Sequence, residues 1–301
     1  MPTTLLTNPK KSTDAPAADP KSIVADAVKK VSTIATLPEV TARIVTTVED
    51  PKSTASQLHK IVGHDPALVT RILKVVNSAF YGLPGQIGSV ERAIVLLGLN
   101  AVKNIAVAAS LGQLFRGVKL CEGFTAKDLW THCIAVAVTA RELGKQSSLP
   151  IADEAFLAGL IHDIGILVAL HVYPEKLKQV CDRTKAENGD FCQIEREICG
   201  VDHQQLGMGL TEHWKFTRPC QMVAGYHHHP QDLADNTRVL VLLVNIADTI
   251  VCKQNRGFNL TALQQNLDPA LIEEAGVSMA IVEKTQEKIG DLISNAMSIL
   301  G

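Results

Sequence analysis

The chain has 301 residues, of which 46% are hydrophobic and 20% charged, and a formal net charge of −2. That length accommodates two modest domains or one helical domain with a generous core. The near-neutral balance excludes a dedicated polyanion binder, so no nucleic-acid partner is expected.

Residues 1–21 are rich in Pro, Thr, Ala, Asp and Lys without periodicity, which predicts a disordered tail. Its opening MPTTLLTNPKK has no hydrophobic segment of the kind a secretion signal needs. From Ser22 onward nearly every segment has helical character. Asp65-Pro66 supplies an N-cap and a first-turn proline ahead of ALVTRILKVVNSAF, whose apolar residues recur at helical spacing. Ser89 opens VERAIVLL and Gly98 ends it. The apolar stretch 93–115 is interrupted by Asn100, Lys103, Asn104 and Gln113, so no membrane span is expected. RGVKLCEGF, 116–124, then breaks two long helical patterns and predicts a boundary: a helical bundle over 22–118 and a second helical unit over 119–301.

Thr125 to Asp128 form a capping box that starts LWTHCIAVAVTARELG, which ends at Gly144. Asp153 starts a helix leading to His162, and the helix after that stops before Pro174. Later helices are predicted near 175–187, 202–214, 219–228, 238–253 and 278–299. No alternating strand stands out, so the fold class is all-α. The seven cysteines (121, 133, 181, 192, 199, 220 and 252) form no CxxC pair. They are expected to be buried reduced thiols, as in a cytoplasmic protein.

Eight of the ten histidines follow residue 130, and that asymmetry asks for a chemical reason. In GLIHDIGILVAL, 159–170, two ionisable residues occupy positions where periodicity places core residues. Burying an unpaired charge is expensive, so such groups are normally paired, hydrogen-bonded or bound to a metal. Neighbours on a straight helix diverge by about 100°; a bend at His162-Asp163 would let both face one centre. The candidate ligands are His132, His162, Asp163, His203, His227, His228 and Asp248. Histidine and carboxylate together suit Fe, Mn, Zn or similar ions, and a carboxylate can bridge two of them. Each residue also admits a plainer role. Asp163 could cap the next helix, Asp202 could cap the one holding His203, YHHHP could be a solvated helix end, and His132 could be an ordinary core histidine. Asp248, deep in VLLVNIADTIV, resists that treatment. His59, His64, His171 and His213 are left as ordinary residues.

LPEV at 37–40, DPAL at 65–68, NSAFYG at 77–82 and AIVLLGLNAVKN at 93–104, followed by LWTHCIAVA, EAFLAGLIHDIG and HQQLGMGL, carry a family resemblance. Over roughly 30–252 the chain resembles the HDOD family, the HD-related output domain of bacterial signalling proteins. The resemblance implies an N-terminal helical bundle packed on an HD-superfamily-like helical domain. Within NSAFYG, Phe80 and Tyr81 are expected as apolar anchors, with a helix ending at Gly82. The family is related to metal-dependent phosphohydrolases and, more narrowly, to HD-GYP cyclic-di-GMP phosphodiesterases. Their H…HD…D pattern falls on His132, His162-Asp163 and Asp248, and their further histidines are similar to His203 and His227-His228.

The resemblance therefore implies two divalent ions (Fe, Mn or Zn) bridged by Asp163. His132, His162 and Asp248 would hold one, and His203 with His227 or His228 the other; an alternative frame pairs His228 with His229. Two departures count against cyclic-di-GMP hydrolysis. Ile166 stands where those enzymes have a lysine, and no GYP segment follows HHHP. Lys215 and Arg218 are near enough in sequence to be candidates for contacting a phosphate. The leading expectation is a regulatory protein with a retained metal site, acting through a signalling protein partner or a small nucleotide ligand. A metal-dependent phosphohydrolase acting on a nucleotide or cyclic dinucleotide is the first alternative, and a metal-free helical scaffold the second.

Overall fold

Caps and apolar stripes divide the chain into short helices. The computed structural model describes residues 19–34, 37–48, 53–78, 81–115, 119–147, 151–234 and 236–300. Most of the expected tail lies outside those residues, and a helix already begins at Pro20. The front of the chain forms α1 (Pro20–Ile34), α2 (Glu39–Val48), α3 (Ala55–Gly63), α4 (Pro66–Val76), α5 (Val90–Leu97) and α6 (Leu99–Leu111). Asp65 caps α4 through Leu68 N at 2.9 Å, and Ser89 caps α5 through Arg92 N at 3.2 Å, the roles their sequence positions predict. Helices α2 to α5 pack around α6, whose residues 101–111 are all buried.

The break at 116–124 contains a small antiparallel hairpin, β1 (Lys119–Cys121) and β2 (Phe124–Thr125), which sequence patterning did not disclose. There follow α7 (Ala126–Gln146), α8 (Ala152–Ile161), α9 (Ile164–Val172), α10 (Pro174–Glu187), α11 (Phe191–Cys199), α12 (His203–His213), α13 (Arg218–Tyr226), α14 (Arg238–Lys253), α15 (Pro269–Glu274) and α16 (Met279–Leu300). Among the described residues everything but the hairpin is helix or connection, so the fold is all-α. Helices α11 and α15 are additions to the predicted set. Thr125 forms its reciprocal box with Asp128 at the start of α7.

Two elements cross the predicted boundary. Helix α1 belongs to the front of the sequence but packs against α9 and α12 of the later half. Helix α16 runs along α7 and reaches α4. There Lys74 Nζ donates to Ser298 O at 2.9 Å, and Trp130 Nε1 donates to Leu300 O at 2.8 Å. A continuous hydrophobic core links the two halves. Tyr81 lies half-buried beneath the Arg141 guanidinium of α7, 4.6 Å from the ring centre, while Phe80 lies outside the described residues. The segment most apolar in character is 152–172 rather than 93–115. It has a mean hydropathy of 1.9 and is 89% buried inside the protein, and its helix breaks in the middle.

Candidate metal centre

That break is the junction between α8 and α9. Residues His162 and Asp163 leave the helix and re-enter it, with Asp163 at φ −93°, ψ 17°. Asp163 occupies the N-cap position of α9, yet its side chain makes no capping hydrogen bond. The plain capping role is therefore excluded, and the carboxylate turns inward. Gly165 explains what it meets there: a Cβ at this position would overlap His203 O and sit 2.7 Å from Gly207 N. The backbones of α9 and α12 thus touch where they cross, and the crossing delivers His203 to Asp163. Gly257, with φ +77°, does the same for the turn after α14, where a Cβ would lie 2.6 Å from His132 N.

All seven candidate residues converge. Asp163 Oδ2 lies 3.4 Å from His162 Nε2 and 3.6 Å from His132 Nε2. Its Oδ1 lies 3.3 Å from His203 Nε2 and 3.4 Å from His227 Nε2. One carboxylate therefore presents one oxygen to each pair of imidazoles. Asp248 Oδ1 is 3.1 Å from His132 Nε2. The ring nitrogens also crowd one another: 3.2 Å for His132 and His162, 3.3 Å for His203 and His227, and 3.1 Å for His203 and His228. Two ligand atoms about 2.1 Å from a common ion, at angles of about 90–109°, stand roughly 3.0–3.4 Å apart.

Burial makes the arrangement costly without a cation. His132, His162, Asp163, His203, His227 and Asp248 have no exposed surface. Among the described residues neither oxygen of Asp163 has a hydrogen-bond partner, nor does Asp248 Oδ2. An orphaned buried acceptor costs about 1–3 kcal/mol, and more when charged. The surrounding groups nevertheless favour ionised carboxylates. Burial pushes the Asp163 carboxyl up, but His162, His227 and His203 outweigh it and hold it well below the usual range. Burial is likewise outweighed at Asp248, chiefly by His132. Burial also lowers His227 and His228, which favours neutral rings with free lone pairs. Two buried anions ringed by imidazoles are a donor set that fits divalent cations.

The outer ring nitrogens fix which lone pairs face inward. His162 Nδ1 meets Gly159 O at 2.7 Å and His227 Nδ1 meets Val223 O at 3.0 Å. Since a carbonyl only accepts, each Nδ1 carries a proton, and in the neutral ring the lone pair is then on Nε2. Glu195, on α11, does this for His203: its Oε2 accepts from Nδ1 at 2.6 Å and from the His203 backbone N–H at 2.8 Å. His228 differs, because its Nδ1 faces the Gln265 amide at 2.5 Å. The orientation of that amide decides which nitrogen of His228 is free. His229 turns aside to Gln204 at 2.9 Å. His227 is thus the histidine of YHHHP whose tautomer the backbone sets, and the segment is no solvated helix end.

Sequence reasoning missed Glu195, Gln204, Gln265 and Cys252, whose thiol donates to Asp248 Oδ1 at 3.4 Å. None carries a local signature, because each acts through a contact made only on folding. The basic candidates fall elsewhere. Ile166 is fully buried, and Lys215 is exposed on the turn between α12 and α13. Arg218 opens α13, nine residues and roughly 13 Å along the helix from His227.

An all-helical architecture with a His/Asp cluster at a broken helix defines an HD-like class of protein. The HDOD domain family matches residues 34–230, and the chain belongs to it. An uncharacterised protein of Treponema pallidum (strain Nichols) is 23% identical over 230 residues, covering 76% of this chain and 44% of that relative. The chain thus spans less than half the length of that protein. The solved HDOD domain protein of unknown function from Geobacter sulfurreducens superposes with a TM-score of 0.77 at 20% identity, covering 93% of this chain and 99% of that one. A candidate signal transduction protein of Marinobacter aquaeolei VT8 superposes at 0.74 with 22% identity, over 94% and 65%. A candidate metal-dependent phosphohydrolase of Shewanella amazonensis SB2B does so at 0.60 with 22% identity, over 94% and 99%.

Proposed function

We propose that this HDOD protein is a cytoplasmic regulator of signal transduction. Its buried His/Asp centre holds two divalent ions, and it acts by binding a signalling protein or a small nucleotide. The observation that carries the metal reading is Asp163, whose two orphaned oxygens each face a separate pair of imidazole nitrogens. His132, His162 and Asp248 would complete one site, and His203 with His227 or His228 the other. Bound ions would supply positive charge to two buried carboxylates and tie α7, α8, α12, α13 and α14 at one point. This chain's own residues hold the geometry: Gly159 O, Val223 O and Glu195 keep the outer ring protons, so the Nε2 lone pairs point inward.

Burial favours a structural or sensory centre over turnover. A substrate oxygen would have to reach ligands with no exposed surface, and even the His228 side chain is only 3% exposed. The apolar Ile166 supplies no charge for phosphate oxygens. A phosphohydrolase remains the second reading, favoured by the paired donor sets, which suit a two-metal centre. The decisive experiment is elemental analysis of the purified chain together with Asp163→Asn. If ions are bound, the variant loses them and melts below the wild type. If the site is metal-free, the wild type carries no ions and a chelator leaves the melting temperature of both proteins unchanged. A hydrolysis screen with added Mn²⁺ or Fe²⁺ separates the regulatory reading from the enzymatic one.

A further inference from the structure

A cleft of about 470 Å³, with a mixed polar and apolar lining, opens where the bundle meets the metal-bearing half. Helix α6 lines it from one side, and α8, α13 and α14 from the other. Its floor is apolar, made by the buried side chains of Leu157, Leu240 and Cys220. Lys103 and Asn104 line the wall and are 8% and 5% exposed. Arg218 and Glu154 stand at the exposed rim.

Lys103 is the feature that needs a reason. It is the one charged residue of α6, in a run buried from Ala101 to Leu111 whose other polar members are Asn104 and Ser110. A lysine is tolerated in such a place when its ammonium reaches polar space. Here that space also holds an arginine, whose planar fork matches phosphate oxygens, while a lysine adds a mobile point charge. Both cations keep contacts within the protein, and a phosphate offers each of them charge-assisted hydrogen bonds. The cavity volume is on the order of that of small-molecule sites, several hundred Å³.

We propose that this cavity binds a mononucleotide. The phosphate lies between Lys103 and Arg218, the base rests on the floor of Leu157, Leu240 and Cys220, and Glu154 accepts from a ribose hydroxyl or a base amino group. The site is separate from the metal centre. Leu157 precedes His162 by five residues and Leu240 precedes Asp248 by eight, roughly 7 and 12 Å along their helices. It nevertheless shares α8, α13 and α14 with that centre, so an occupant clamps the bundle onto the helices that carry His162, His227 and Asp248. It does not depend on metal being bound.

Calorimetric titration of the full chain with AMP, ribose 5-phosphate, inorganic phosphate and adenosine tests it. AMP should bind at least about tenfold more tightly than adenosine, and ribose 5-phosphate should compete with it. Arg218→Gln, at an exposed position that leaves the fold intact, should weaken AMP about tenfold or more, and Lys103→Met should do the same. Asp163→Asn should leave AMP binding unchanged. No heat from any phosphate-bearing probe at about 1 mM would overturn the proposal, as would equal affinity for AMP and adenosine. AMP binding that Asp163→Asn abolishes and Arg218→Gln spares would also overturn it, by moving the nucleotide to the metal centre.

Discussion

The two halves of the molecule are held together in different ways. In the bundle of α2 to α6, the buried polar side chains are Thr41, Lys103, Asn104 and Ser110. Thr41 Oγ1 donates to Ser110 Oγ at 2.6 Å, and Asn104 Nδ2 to Asp153 O at 2.8 Å. Everything else inside is aliphatic packing. From α7 onward, the interior contains His132, His162, Asp163, Glu195, Asp202, His203, Gln204, His227 and Asp248 with almost no exposure. Apart from Lys103 and Asn104 at the shared cleft, the bundle needs only apolar volume and good caps. The later half spends a substantial part of its interior on groups that are costly to bury and that together make a site. The stability of the bundle and the metal centre are therefore separable by position.

That contrast can be broken or sharpened by mutation. Gly165→Ala should have the largest effect, because the new methyl enters the α9–α12 crossing. Overpacking costs about 1–3 kcal/mol and more where backbone must move, so a loss of about 3 kcal/mol is expected in urea unfolding, together with metal content. Ile72→Ala should cost about 2–4 kcal/mol, the usual range for a buried aliphatic, because Ile72 is fully buried in α4. Metal per folded chain should stay constant in that variant; if it falls, the halves are not separable. Glu195→Gln should weaken metal binding about 10–100-fold, as loss of an outer hydrogen-bond partner does, with little change in helix content by circular dichroism. Thr125→Ala should cost about 1 kcal/mol through the lost cap of α7, seen as a small drop in melting temperature.

The helix ends were readable wherever a cap is local. Asp65, Ser89 and the Thr125–Asp128 box lie next to the residues they serve, so sequence and structure agree on them. The bend at His162-Asp163 was readable because two charges in an apolar run contradict a straight buried helix. The gathering of all seven candidates came through family likeness, since no spacing rule brings His132 to Asp248. Contacts between distant elements left no trace. Glu195 sits in FCQIEREIC, which carries the charge of a surface helix, and only the crossing with α12 buries it against His203. The choice between His227 and His228 depended on Val223 O and Gln265, one local and one 37 residues away. The place of α1 was also hidden, because an amphipathic stripe does not say which partner covers it.

The two end helices have a mechanical consequence. With α1 seated on α9 and α12, and the tip of α16 fastened to Trp130 of its own half and to Lys74 of the bundle, each end of the chain has a hold across the boundary between the halves. Tension applied between residues 20 and 300 would load these two clasps before it reached either interior. In an optical trap the first rupture should be the peeling of α1 or α16, with the His/Asp centre still assembled behind it.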